Sequence, residues 1–214
     1  MFLRFLLCAL MFLSISAECG SDKPDRTLLQ RLQKWVDQLN TLEADFVQQS
    51  IGSGASPQES TGHFSAARPG RFRWDYKTPH EQLIVSDGVV VWYYEPDLKQ
   101  ATRTSNDKIK ETPAGFFTAG GSIEESFSWQ VVGDSLWPGP TLRLTPKKEG
   151  AVKEIIMAMD REKDRLLGME VVDSLGVRSQ IIFDRWVQNK PISPERFNFD
   201  PPHGVDVVED MGGR

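Results

Sequence analysis

The stretch RPGRFRWDY, residues 68–76, packs arginines and aromatic rings into nine positions, the mixture by which some proteins stack bases and pair phosphates along a single strand. In an extended strand, however, side chains alternate between faces. Phe72, Trp74 and Tyr76 then point one way, and Arg71, Arg73, Asp75 and Lys77 the other. Rings and charges would act on opposite sides. With a formal charge of −5, the chain is also a poor match for phosphate backbones, so no nucleic-acid partner is expected.

Other chemistries find no support. His63, His80 and His203 are scattered, none at metal-ligand spacing from another or from a cysteine, so no metal or cofactor is expected. No nucleophile elbow, zinc-protease, phosphate-loop or dinucleotide motif occurs. Glu124, Glu125, Asp160, Glu162 and Asp164 lie among basic residues in turn-like stretches, which suits solvated loops better than an acid/base pair. The expectation is a protein that is not an enzyme.

The elements that would carry the aromatic face follow from periodicity. Leu28, Leu29, Leu32, Trp35, Val36, Leu39 and Leu42 keep helical spacing after a possible N-cap at Asp25. The period then changes to two. Short runs such as ADFVQQS, TGHFSAA, EQLIVS and VVVWYYE are separated by turn residues, with Asp87-Gly88 as the strongest hairpin signal. Thr112 and Pro113 open a short helix bearing Phe116 and Phe117, stopped by Gly120-Gly121. Five further strand-like runs follow, and the proline-broken tail ISPERFNFDPPHGVDVV reads as irregular edge structure. About ten or eleven antiparallel strands and one long helix make a sheet that must curl.

Val90, Trp92 and Tyr94 fall on one face of the hairpin's second strand, with Val89, Val91 and Tyr93 on the other. A sheet apolar on both sides is covered on both. Its concave face is either an ordinary packed core or the lining of a hollow for a large apolar ligand, with the Phe116-Phe117 helix as its lid.

The first seventeen residues combine Arg4, an apolar run from Phe5 to Leu13 and small residues up to Ala17, the plan of a secretory signal peptide. That run is shorter than a membrane span requires. The domain division read from this is a cleaved signal over 1–17 and one domain over 18–214. Cleavage removes only Arg4 among charged residues, leaving 24 basic against 30 acidic ones. Cys8 goes with the signal. Cys19 stays as a lone thiol, with lipid attachment there as a rival processing route that the preceding Glu18 disfavours.

The densest motif is R-P-x-x-F-x-W, then P-x-E, then S-D-G-x-x-x-W-x-Y-x-P over residues 68–96, followed by TPAGFF and the tail FDPPHGVDVV. This resembles the periplasmic outer-membrane lipoprotein carrier family, LolA, over residues 25–208. The resemblance implies a mainly β fold with covering helices: an incomplete, strongly curved antiparallel β-barrel with a helical lid over a hydrophobic cavity. It implies a soluble, monomeric periplasmic chaperone of a Gram-negative bacterium. Such a chaperone takes acylated outer-membrane lipoproteins from an inner-membrane lipoprotein-releasing ABC transporter and delivers them to an outer-membrane receptor.

The family's lid latch, an arginine bonded to lid carbonyls in the empty state, corresponds to Arg68. Phe72 and Trp74 match its F-x-W, and Phe116 lies in its lid segment. Periodicity and resemblance together assign Phe72, Trp74, Trp92, Phe116 and Phe117 to the acyl-chain cavity and lid. Two alternatives share the architecture: the outer-membrane lipoprotein receptor, LolB-like and anchored through Cys19, and a periplasmic sensor or lipid-binding domain.

Overall fold

The computed structural model describes residues 26–51, 56–109, 112–133, 137–160, 162, 163 and 165–210. The presumed signal, Asp25 and Cys19 lie outside the described residues. Helix α1 (Thr27–Gln38) buries Leu29, Leu32, Trp35 and Val36 on one stripe, as its spacing predicts. It ends four residues earlier than the apolar pattern suggests. Leu39 is already extended and Leu42 belongs to the first strand, fully buried, because a strand that starts with its inward face apolar continues a helical pattern without a visible break.

Strands β1 (Thr41–Ile51), β2 (Gln58–Ala67), β3 (Arg71–Thr78), β4 (Gln82–Asp87), β5 (Val90–Glu95) and β6 (Gln100–Ser105) pair in sequence as an antiparallel meander. A second meander, β7 (Phe127–Val132), β8 (Thr141–Pro146), β9 (Val152–Met159), β10 (Leu166–Asp173) and β11 (Arg178–Gln188), joins the first where β11 pairs with β1. A short strand from the tail, β12 (Asp206–Glu209), runs parallel to β6. Among the described residues that makes twelve strands rather than ten or eleven, in one sheet whose edges are β12 and β7. Register shifts in β1 and β10 add bulges that bend a sheet already twisted.

Between β6 and β7 lie helix α2 (Pro113–Thr118) and the single turn α3 (Ile123–Ser126). Thr112 Oγ1 accepts from Gly115 N at 3.3 Å and Pro113 takes the first helical position, the start that its sequence indicates. Together α1 and α2 cover the concave face, and Phe46, Phe64, Phe72, Trp74 and Phe183 meet Trp35 and Phe117 there in one buried cluster. Gly62 makes this packing possible. A Cβ there would lie 2.6 Å from the Phe46 ring and 2.1 Å from the Asp75 carbonyl.

The convex face of β3–β5 is covered too, by the tail. Phe197, in the 3₁₀ turn Pro194–Phe197, is buried to 1% exposure, and Arg71 stacks over its ring. Arg73 and Arg196 both pair with Asp75, at 2.9 and 3.0 Å. Arg71 and Arg73, placed by alternation on the face opposite the rings, therefore hold the tail to the sheet.

Candidate functional site

The turn between β2 and β3 sets Arg68 beneath the lid. Its backbone N–H donates to Asn40 O at 2.9 Å, and Gly70 N donates to Thr118 O at 3.2 Å. The side chain follows the same direction: Arg68 Nε donates to Phe117 O at 3.1 Å. Both acceptors are among the last carbonyls of α2, groups that a helix leaves without internal partners, and a cation suits that end. Gly120, at φ +68°, lies against the guanidinium, 3.6 Å from where its Cβ would be, so the chain leaves the helix in the left-handed region without crowding the arginine.

Arg68 is half-buried, and among the described residues no carboxylate pairs with it directly. Burial pulls its guanidinium below the ordinary arginine value, while the nearby Asp37 charge opposes that. Its Nη2 is buried without a hydrogen-bond partner among the described residues. The side-chain contact that fastens the lid is thus a hydrogen bond to a neutral carbonyl, with the Nη2 group left unmatched among the described residues.

A second fastening comes from α1. Gln33 Oε1 accepts from Ile123 N at 2.8 Å, and its Nε2 donates to Gly121 O at 3.1 Å and to Asp37 Oδ1 at 2.7 Å. One amide spans the Gly121-Ser122-Ile123 junction between α2 and α3. Nothing in the sequence marks Gln33, since it lies on the polar stripe of an ordinary amphipathic helix.

Phe117 closes the hollow, with ring centroids 5.2 Å from Phe64, 5.9 Å from Phe183 and 6.2 Å from Trp35. Phe116 turns away along the lid toward Phe127, at 6.4 Å. Trp74 lies 4.4 Å from Phe64 and 4.9 Å from Phe46. Phe72 and Trp74 also line a cleft of about 220 Å³ that opens under the first turn of α2 and is bordered by Tyr76, Ile84 and Tyr93. Burial pushes the Tyr76 hydroxyl up to about 12.

Trp92 does not join this group. Pairing partners across an antiparallel ladder share a face, and the registers run Trp74–Ile84–Tyr93 on the concave side and Arg73–Val85–Trp92–Arg103 on the convex side. Trp92 instead packs on Phe199 of the tail at 5.7 Å, with the Arg103 guanidinium 5.9 Å from its ring. Its place is set by register. Gly88 and Val89 form the hairpin tip, with Asp87 Oδ1 accepting from Val89 N and Val90 N, and Ser86 pairs with Val91, so even-numbered residues of β5 stand opposite odd-numbered residues of β4. Tyr93 takes the inward position.

Outside the hollow, His63 Nδ1 lies 2.8 Å from Asp45 Oδ1, and Arg185 pairs with the other carboxylate oxygen at 2.5 Å. The His63 hydrogen bond, and after it the Arg185 charge, hold the Asp45 carboxyl below the usual carboxylate range. Among the described residues, no group of His, Cys, Asp and Glu could hold a metal ion, and no helix is long and apolar enough to cross a membrane.

The family model described as outer membrane lipoprotein carrier protein LolA matches residues 37–200. The chain belongs to this family. Among LolA relatives, an outer-membrane lipoprotein carrier protein of Methylococcus capsulatus is 36% identical over 196 residues, covering 89% of this chain and 91% of its own. Another, of Chromobacterium violaceum, is 36% identical over 182 residues, covering 83% and 85%. A solved structure of an uncharacterized conserved protein from Thermus thermophilus shares the fold, with a TM-score of 0.52 at 14% identity over 85% of this chain and 96% of that one. The single curved, unclosed sheet with its covering helices is the architecture expected of a LolA protein.

Proposed function

We propose that this chain is a periplasmic carrier for acylated outer-membrane lipoproteins, loaded by an inner-membrane releasing ABC transporter and unloaded by an outer-membrane receptor. The observation that carries the proposal is the aromatic hollow closed by Phe117 and fastened through Arg68 Nε to the Phe117 carbonyl. The cleft beneath the first turn of α2 is about 220 Å³, below the roughly 300–1,000 Å³ of ordinary ligand sites, and acyl chains gain room there as the lid swings out.

Free energy explains why such a carrier needs a latch. At about 0.8 kcal/mol per methylene, one acyl chain of about fifteen methylenes has on the order of 12 kcal/mol of transfer energy. Release into water is too slow to be useful, so cargo must pass from hollow to hollow. The donor must hold it less tightly than the receiver. Hydrogen bonds made only when the lid is shut favour the empty state and lower net affinity for cargo. Arg68 serves as that latch, and Phe72, Trp74, Phe116 and Phe117 as lining and lid.

The test is release of a lipoprotein from spheroplasts by the purified protein, followed by transfer to outer membranes. Wild type should do both. Arg68→Leu should accumulate lipoprotein in a stable complex and transfer little of it. Failure of both proteins to hold any acylated cargo would reject the carrier role.

A further inference from the structure

The concave face changes character along its length. On β1 the inward positions Leu42, Ala44 and Phe46 are almost fully buried, and the next two are Gln48 and Ser50. Their ladder partners follow: Phe46 stands opposite Phe183, but Ser50 opposite Ser179 and Gln48 opposite Ser60. Over roughly 27 Å of strand, at about 3.4 Å per residue, the hollow runs from rings beneath the lid to neutral polar groups at its far end.

Those groups are linked. Tyr76 Oη donates to Gln48 Oε1 at 2.9 Å, Gln48 Nε2 donates to Ser50 Oγ at 3.1 Å, and Ser50 and Ser179 share a hydrogen bond at 2.8 Å. A glutamine amide has two N–H donors, and among the described residues one is used here. Gln48, Tyr76 and Ser179 border the same cleft as Phe72 and Trp74. Among the described residues, no charged side chain lines that cleft. Beyond it, Glu81, Glu95 and Asp97 flank an adjoining cleft that Gln48 and Tyr76 also line.

We infer that the Gln48–Tyr76–Ser179 network is a subsite for the uncharged ester linkages of a diacylglyceryl group, whose chains occupy the aromatic end. The inference rests on the carrier reading above and adds orientation and selectivity to it. A linkage carbonyl is an acceptor without a donor of its own, and the spare Gln48 N–H supplies one. An ionised phosphate or fatty-acid carboxylate would find no counter-charge in the cleft and three carboxylates beside its mouth, a costly place for an anion. Lipids with anionic headgroups are thereby disfavoured against lipids joined to peptide through neutral bonds.

Titration calorimetry of the purified full chain tests this with two probes of equal chain length: a short peptide carrying S-dipalmitoylglyceryl-cysteine, and its dihexadecyl ether counterpart, which lacks the ester carbonyls. Wild type should bind the ester probe about fivefold to tenfold more tightly, the value of one or two net hydrogen bonds. Gln48→Met should bring the ratio to within twofold, chiefly by weakening the ester probe, and Ser179→Ala should lower it partway. Equal binding of both probes by wild type would overturn the subsite while leaving the carrier reading intact. A preference that survives both substitutions would also overturn it. Binding of neither probe would remove the carrier reading and the subsite with it.

Discussion

The two faces of the β3–β5 region are both covered by aromatic side chains and arginines, yet they are fastened in different ways. On the convex side, Asp75 receives Arg73 and Arg196, and Phe197 is sealed beneath the Arg71 guanidinium. On the concave side, among the described residues, Arg68 Nε reaches a backbone carbonyl rather than a carboxylate. Both are charge-assisted hydrogen bonds, but the Asp75 pairs add attraction between opposite charges, which the carbonyl facing Arg68 does not supply. One cover is built to stay and the other to leave.

The largest effect that would sharpen this contrast lies in the tail. Phe197→Ala should destabilise the protein by about 3–5 kcal/mol, the usual loss for a buried phenylalanine, read as a fall in the urea midpoint. A loss below about 1 kcal/mol would mean that the tail is no firmer than the lid. Next, Asp75→Asn removes the charge shared by two arginines. Because the group is partly exposed, about 1 kcal/mol is expected, with faster amide exchange over residues 194–209 and none at the lid.

Arg68→Leu should change global stability by less than about 1 kcal/mol, while amide exchange of Phe116 and Ala119 rises. Should the tail accelerate along with it, the two covers are one cooperative unit and the contrast fails. Gln33→Leu should act on the same amides and on Ile123, whose N–H it accepts.

The smallest effect concerns pH. Asp45 has a folded pKa below its ordinary value, so it stabilises the fold above about pH 4 and that contribution is lost as pH falls toward the folded pKa. Asp45→Asn should flatten the acid limb of a stability-against-pH curve without altering lid exchange. An unchanged acid limb would remove Asp45 from the account.

What the sequence disclosed and what it withheld divide along physical lines. Within β3, Phe72, Trp74 and Tyr76 were legible as one face because alternation needs no knowledge of a neighbour. Thr112-Pro113 and Gly120-Gly121 bracketed the lid helix because caps are local chemistry. Trp92 was not legible, since its face relative to Trp74 depends on the registers of both the β3–β4 and the β4–β5 pairs, which alternation within one strand does not give. The tail's hold on the convex side was hidden for a related reason: a proline-broken segment has no period, and its partners Asp75 and Trp92 are more than a hundred residues away. Arg68 stood out only through the family's motif, because its bond to Phe117 depends on a turn bringing two distant segments together.

The sheet's two ends, β7 and β12, share no ladder. A closed tube has a circumference fixed by its strand number, so a bulky guest would have to break pairings to fit. A split collar has no such limit. It can spring apart at the gap while every existing rung stays made, so the room for a guest comes from bending strands rather than from breaking hydrogen bonds, and the collar's elasticity supplies a restoring push toward the empty shape.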